Sequence, residues 1–184
     1  RAATWRNHQK NLIKSLDENG WDGQWYKRAF YDDGSALGSK DNVECQIDSL
    51  TQSWGLISKA GNKKRLEEAM SSVEKYLIKN KEKMILLFTP PFDKTKNDPG
   101  YIKGYSPGVR ENGGQYTHAA IWCILAYAEL NNGKRAVELF SMLNPINHAL
   151  SREDVDRLGT LDLLVGCIQP VLKQFLDFNC QEIF

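Results

Sequence analysis

The sequence has few cysteines, almost no net charge and no long apolar run, and each shortage excludes a class of protein. Four cysteines are widely spaced and form no CxxC pair: Cys45, Cys123, Cys167 and Cys180. The three histidines have no metal-ligand spacing, so we expect neither a zinc site nor any other metal cofactor. Cys123 and Cys167 lie in apolar helical segments and are predicted to be small core residues. This usage is typical of a reducing compartment.

The balance of charge excludes a general electrostatic partner. A formal net charge of +1 gives no broad attraction to nucleic acid or anionic lipid. The basic run at 62–65 is followed by Leu-Glu-Glu and is predicted to begin a solvated helix. No apolar run approaches the ~20 residues that a membrane span needs, and no signal peptide is visible. We therefore expect a cytoplasmic protein. Because the chain begins with arginine, we also expect it to belong to a longer protein, whose other domains are free to attach it to a membrane.

What the sequence does contain is helical periodicity in 184 residues, 41% of them hydrophobic, enough for one domain with a core. Helices are predicted at Thr4 to Asn19-Gly20, between Asp48 and Gly61, at Lys63 to about Lys79, at Thr117–Leu130 and at Lys134–Leu143. Asp48 is the predicted N-cap of the second helix and Gly61 its C′ residue, and Asn62 is the predicted N-cap of the third. The apolar stripe of the third helix is predicted to consist of Leu66, Met70, Val73 and Leu77. Short extended segments are predicted at 25–31, closed by a turn at 32–34, and at 84–88. Helices paired by short connections without a fixed repeat favour a helical barrel. The fold class is predicted to be all-α with minor β.

A long loop rich in proline, glycine and tyrosine is predicted between Thr89 and Tyr116. A stretch of that length inside a compact domain is usually functional or disordered. Its aromatic residues favour an ordered, functional loop, and they are Phe92, Tyr101, Tyr105, Tyr116 and the adjacent Phe88. Tyr101 and Tyr105 offer flat faces of the kind on which pyranose rings stack.

Arg110, Glu111 and His118 stand close together in the sequence RENGGQYTHAA, where an apolar helix begins. A buried helix that follows a Gly-Gly turn favours an anion at its N-terminus, through its free N–H groups and its dipole. His118 is suited to donate to a phosphate oxygen or a sugar hydroxyl, and the planar Arg110 to bind carboxylate, phosphate or vicinal hydroxyls. Glu111 is suited to accept from sugar hydroxyls or to stabilise a developing positive charge. The structural alternative, an Arg110–Glu111 ion pair with His118 as a satisfied cap residue, stays open on spacing alone.

Four collinear segments resemble glycoside hydrolase family 94, and they are WDGQWYKRAFYDDGSALGS (21–39), IDSLTQSWGLISKAG (47–61), PGVRENGGQYTHAAIW (107–122) and AELNNGKRAVELFSMLNPINHA (128–149). That family contains cellobiose and chitobiose phosphorylases and the C-terminal domain of cyclic β-1,2-glucan synthases. The sequences Arg-Glu-Asn-Gly-Gly in the third segment and Asn-Pro-Ile-Asn-His-Ala in the fourth are most similar to the glucan synthase branch. The resemblance assigns 1–155 to part of the catalytic domain and leaves 156–184 as a helical tail of unmatched sequence, packed on the same domain.

The resemblance implies an (α/α)6 barrel of which this chain is the C-terminal part. It implies inverting phosphorolysis, in which inorganic phosphate, the co-substrate, attacks a β-glucoside and releases a sugar 1-phosphate. An acidic residue protonates the glycosidic oxygen, as the general acid of inverting glycosidases does. On the resemblance, Arg110 and Glu111 hold the sugar and His118 contacts phosphate. Gln52, Ser53 and Trp54 also match, as barrel structure near the site.

Two departures from the family pattern limit the expected activity. The family's general acid lies in a Trp-Asn-Asp segment, which this sequence lacks, and Asp22, Asp32 and Asp33 belong to a different motif. The family's glycine- and tryptophan-rich phosphate loop also has no counterpart after Asp154. No catalytic residue is therefore assigned, and the isolated chain is expected to be inactive.

Two non-catalytic functions remain as alternatives. One is a helical module that binds carbohydrate through Trp21, Trp25, Tyr101 and Tyr105. The other is a helical interaction domain whose family motifs are only structural. Part of a barrel is also expected to expose apolar helix faces such as Trp122–Leu125, so self-association is expected.

Overall fold

The computed structural model describes residues 1–148 and 150–151, and this part of the chain contains five α-helices. They are α1 (Ala2–Ser15), α2 (Ser49–Ser58), α3 (Lys63–Tyr76), α4 (Thr117–Glu129) and α5 (Gly133–Leu143). A wider helical turn, Leu16–Gly20, extends α1, and two 3-10 helices lie at Gly100–Gly104 and Pro145–His148. The predicted class, all-α with minor β, is confirmed, whereas a barrel stays a prediction.

Three short antiparallel strand pairs join these helices. They are β1 (Ala29–Phe30) with β2 (Ala36–Leu37), β3 (Ile47–Asp48) with β6 (Phe88–Thr89), and β4 (Ile78–Lys79) with β5 (Met84–Ile85). In the second pair, Asp48 lies opposite Phe88. This pairing places the beginning of α2 beside the beginning of the long loop.

The main core lies where α4 packs against α2 and α5, and α2 against α3. The stripe predicted for α3 is confirmed, since Leu66, Met70, Val73 and Leu77 are all buried. Helix α4 buries eight of its 13 residues, as its all-round apolar sequence predicts. Both predicted N-caps are also confirmed, because Asp48 accepts from the Thr51 N–H and Asn62 from the Lys64 N–H.

Gly61 does not have its predicted role as the C′ residue of α2. The helix ends at Ser58, and Lys59 adopts the left-handed conformation at φ 55°. A Cβ at Gly61 would lie 2.3 Å from the Oη of Tyr26. Glycine is therefore required here for close packing, and its backbone freedom is not used. Helix α3 also ends earlier than predicted, at Tyr76, because the next residues enter β4.

The predicted strand over Trp25–Tyr31 is largely wrong. Only Ala29–Phe30 pairs as a strand, and the turn predicted at 32–34 is confirmed by the Gly34 N–H donating to the Tyr31 carbonyl. Trp25 and Tyr26 instead belong to the core, each 5% exposed. Tertiary packing here overrides the β-propensity of aromatic residues.

Helix α1 is one of the described elements that expose large apolar side chains. This helix buries none of its residues, and its apolar stripe includes Trp5, Leu12 and Leu16, which are 71%, 51% and 44% exposed. The exposed face predicted at Trp122–Leu125 is wrong in position, because Cys123 and Ile124 are buried and their neighbours half-buried. Self-association stays a prediction.

Two predictions lie outside the described residues: the helical tail at 156–184 and the core position of Cys167. Within the described part, no helix combines the length and the apolar character that crossing a bilayer requires.

Candidate functional site

The long loop is anchored at its first part by core residues and by one carboxylate. Phe88 and Phe92 are buried, with ring centroids 5.1 Å apart. Glu44 accepts from the backbone N–H groups of residues 93, 94 and 95 at 2.8–3.1 Å. Burial alone would raise the pKa of Glu44, but these donors outweigh it and hold that pKa below its usual range. The loop is therefore ordered, as its aromatic content indicates.

Asn112 fixes the second part of the loop. It is fully buried, and its Oδ1 accepts from the Phe92 N–H at 2.7 Å. Its Nδ2 donates to the carbonyls of Phe92 and Tyr105, each at 2.8 Å. One amide thus ties together three parts of the loop that are far apart in sequence. Sequence reasoning missed this role, since the partners lie 20 and seven residues away.

The Gly-Gly turn closes against the loop where no side chain fits. Gly113 has φ 78°, and a Cβ there would lie 3.0 Å from the carbonyl oxygen of Phe88. A Cβ at Gly114 would lie 2.6 Å from the carbonyl oxygen of Gly108. Real Cβ atoms essentially never approach within 3.0 Å of another atom, so position 114 needs glycine. At position 113 the positive φ and the tight contact together favour glycine. The turn thereby holds Arg110 and Glu111 directly before α4.

Four of the five predicted site residues form one continuous group, which we call the tyrosine–arginine group: Tyr101, Tyr105, Arg110 and Glu111. The two tyrosine rings meet edge to face at 6.3 Å, and the Arg110 guanidinium lies 5.0 Å from the centre of the Tyr105 ring. Nε of Arg110 lies 3.6 Å from Oε2 of Glu111, a long ion pair. Arg110 also has φ 50°, an unusual conformation for a residue with a side chain. Strained backbone of this kind concentrates at functional sites.

Within the tyrosine–arginine group, one carboxylate oxygen of Glu111 lacks a hydrogen-bond donor among the described residues. Its side chain is 16% exposed, and Oε2 is buried with no hydrogen-bond partner among the described residues. A carboxylate oxygen in that state is costly unless a ligand donor reaches it. The structural alternative of a simple Arg110–Glu111 pair therefore leaves acceptor capacity unused.

His118, the fifth predicted residue, belongs to a different contact group. It is exposed in the first turn of α4, and its Nε2 accepts from the indole N–H of Trp122 at 3.1 Å. Its ring also meets that of Tyr116 at 6.2 Å, and Trp122 meets Trp54 at 4.7 Å. No side chain caps α4, so His118 is not the cap residue of the structural alternative. The pairing of His118 with Trp122 was missed, although their spacing of four residues in a helix is a usable signal.

The two tryptophans proposed for a non-catalytic carbohydrate-binding module, Trp21 and Trp25, do not lie in the tyrosine–arginine group. Trp25 is buried, and its indole N–H donates to the carbonyls of Gly38 and Gln46, so it offers no face to a sugar. Trp21 is half-buried and lies 5.2 Å from the guanidinium of Arg65. An open cleft of about 480 Å³ beside Trp21 is lined mainly by charged side chains. Neither tryptophan therefore contributes to the tyrosine–arginine group.

Comparison with known proteins establishes the family. Residues 1–157 match the Glycosyl hydrolase 94 superfamily, catalytic domain. The chain is 50% identical over 156 residues to the cyclic beta-(1,2)-glucan synthase NdvB of Rhizobium meliloti (strain 1021), covering 85% of this chain and 6% of that protein. The chain therefore belongs to the glycosyl hydrolase 94 superfamily, as its motifs predict.

Two phosphorylases are also similar to the chain. The N,N'-diacetylchitobiose phosphorylase of Vibrio furnissii is 33% identical over 129 residues, which cover 69% of this chain and 16% of the relative. The solabiose phosphorylase of Paenibacillus borealis is 29% identical over 134 residues, which cover 73% and 17%. The chain thus spans 6–17% of the length of these three relatives. These similarities support a carbohydrate-active enzyme.

Proposed function

We propose that residues 101–118 form the sugar- and phosphate-binding part of an enzyme that cleaves β-glucosides by inverting phosphorolysis. In this proposal the tyrosine–arginine group binds the sugar and His118 binds inorganic phosphate. The enzyme is proposed to be of the cyclic β-1,2-glucan synthase type, because half of the aligned residues are identical to such a protein. The helices are proposed to belong to an (α/α)6 barrel.

Oε2 of Glu111, ion-paired with Arg110 at 3.6 Å but without a hydrogen-bond donor among the described residues, carries the sugar assignment. A sugar hydroxyl is a neutral donor that satisfies such an oxygen without bringing in a second charge. Arg110 presents several N–H donors beside it, and the exposed face of Tyr101, 71% exposed, is free to stack on a pyranose ring. A charged acceptor, a planar donor and an aromatic face together match the mixed polar and apolar surface of a glucose unit.

The proposed chemistry needs a proton donor that these residues do not supply. Glu111 is paired with Arg110 and assigned to the sugar, and the sequence has no Trp-Asn-Asp segment. Because a general acid typically contributes about 10²–10⁴-fold in rate, we expect this chain alone to release no glucose 1-phosphate from a β-1,2-gluco-oligosaccharide and phosphate above a heat-inactivated control. Product well above the control would contradict the absence of an acid.

Sugar binding is tested by isothermal titration calorimetry with a β-1,2-linked gluco-oligosaccharide. We expect a dissociation constant on the order of 1 mM for the chain. Glu111→Gln removes the charge of the acceptor and should weaken binding by roughly 10- to 100-fold, the effect of losing a charge-assisted hydrogen bond.

Glu129→Gln is the matched control, because Glu129 is an exposed carboxylate at the C-terminal end of α4, whereas Glu111 lies in the loop that precedes this helix. It should leave the affinity unchanged. A folded chain that binds no oligosaccharide, or an equal loss in both variants, would overturn the sugar assignment.

A further inference from the structure

We propose that Trp122 is a positioning residue that holds the imidazole of His118 in its Nδ1–H tautomer. This leaves the Nδ1–H group as the ring's hydrogen-bond donor for an anionic ligand. The ligand step rests on the proposed function, in which that anion is phosphate. The tautomer rests on the geometry of α4 alone and is testable without any ligand.

The direction of one hydrogen bond determines the tautomer. Nε1 of Trp122 lies 3.1 Å from Nε2 of His118. An indole nitrogen is only ever a donor, so Nε2 must accept and cannot carry a proton. A neutral imidazole carries one proton, and the proton is then on Nδ1. In water the neutral imidazole of histidine favours Nε2–H, so the contact with Trp122 reverses the ordinary preference.

Packing holds the donor in place. The Trp122 ring is half-buried and lies at 51° to the ring of Trp54 on α2, with centroids 4.7 Å apart. Residues 118 and 122 lie one turn apart on α4, where side chains four residues apart meet. The ring of Tyr116 lies at 72° to that of His118. The orientation of the imidazole is therefore set by aromatic neighbours on more than one side.

The consequence for an anion follows from which ring nitrogen is free. Residues 1–148 and 150–151 form no hydrogen bond to Nδ1 of His118, and the side chain is exposed. In the Nδ1–H tautomer this nitrogen donates to a phosphate oxygen, whereas in the Nε2–H tautomer it would present a lone pair to the anion. Trp122 thus selects the tautomer that binds an anion.

The three histidines give the experiment internal references. His148 contacts the carbonyl oxygen of Met142 through Nε2, so it must be the Nε2–H tautomer. His8 is exposed on α1, and its only described ring contact is an edge contact with Trp5 at 6.4 Å. Long-range proton–nitrogen correlation spectra of the ¹⁵N-labelled chain, recorded about two pH units above the ordinary imidazole pKa of ~6.5, distinguish the two tautomers for each ring.

We expect His118 to give the Nδ1–H pattern and His148 the Nε2–H pattern. Trp122→Phe keeps an aromatic ring but removes the indole donor, and it should move His118 toward the Nε2–H pattern shown by His8. Trp54→Phe is the matched control, since it disturbs the same ring stack and retains the donor, and it should leave the tautomer unchanged. An Nε2–H pattern for His118 in the unmodified chain, or an Nδ1–H pattern that persists in Trp122→Phe, would overturn the inference.

Titration with inorganic phosphate tests the ligand step separately. His118→Ala and Trp122→Phe should each weaken phosphate binding by about 5- to 10-fold, the effect of one lost hydrogen bond, while Trp54→Phe should not. An unmodified chain that binds no phosphate would overturn the assignment of His118 to phosphate in the proposed function. Phosphate binding that is lost in His118→Ala but unchanged in Trp122→Phe would overturn only the positioning role of Trp122.

Discussion

Replacing Asn112 by alanine should destabilise the protein more than replacing Asn97 or Gly104, which lie in the same long loop. The substitution removes three hydrogen bonds, two buried ones with Phe92 of 2.7 and 2.8 Å and a half-buried one to Tyr105 of 2.8 Å, and it leaves the Phe92 N–H without its acceptor. Each bond is worth about 1 kcal/mol net, and a buried donor left unsatisfied adds about 1–3 kcal/mol. The expected loss is therefore about 4–6 kcal/mol, a large share of the ~5–15 kcal/mol by which domains are stable.

Urea denaturation followed by tryptophan fluorescence measures this loss as a lower transition midpoint at unchanged slope. Asn97→Ala is the matched control, because Asn97 lies in the same loop and makes one half-buried hydrogen bond, to Oγ of Ser35 at 3.1 Å. It should cost no more than about 1 kcal/mol. If the free energy of unfolding of Asn112→Ala stays within about 1 kcal/mol of that of the unmodified chain, the hydrogen bonds of Asn112 do not order the loop, and Asn112 does not position Tyr105.

Two further predictions concern close packing and burial. Gly61→Ala should destabilise the chain by about 1–3 kcal/mol, because the new Cβ would lie 2.3 Å from Oη and 2.9 Å from Cζ of Tyr26. Gly104→Ala, with open space around it, should change the unfolding midpoint little, and equal effects would contradict the packing role. Burial raises the pKa of both Cys45 and Cys123 to about 12, so the reactive thiolate is scarce near neutral pH and each thiol is also inaccessible. Peptide-resolved mass spectrometry should therefore find neither cysteine alkylated by iodoacetamide until urea unfolds the chain, and labelling of either one in the native state would show that the surrounding core opens.

Local periodicity predicted the parts of the fold that depend on it. The apolar stripe of α3, the all-round apolar character of α4 and the caps at Asp48 and Asn62 all follow from spacing within one helix. The boundaries that failed depend on contacts distant in sequence. Trp25 has strand-like neighbours but is drawn into the core, where it donates to the Gln46 carbonyl 21 residues away. No pattern within a short window contains that information.

The candidate site divides in the same way. The tyrosine–arginine group could be proposed from composition, since its members lie within 11 positions of one another. The role of the Asn112 side-chain amide could not be predicted from the sequence. Asn112 has the sequence context of an ordinary turn residue, and its partners Phe92 and Tyr105 are known only from the structure. The Trp122–His118 hydrogen bond was available from helical spacing, but the apolar run around Trp122 indicated only packing surfaces and no hydrogen bond.

Chemical-shift mapping tests the central claim most directly. The ¹⁵N-labelled chain is titrated with a β-1,2-gluco-oligosaccharide, and the amide signals that move are assigned. The account predicts that the largest saturable changes fall between Tyr101 and His118 and are reduced in Glu111→Gln. Changes that instead concentrate around Trp21 and Arg65, or that are the same in Glu111→Gln, would contradict it.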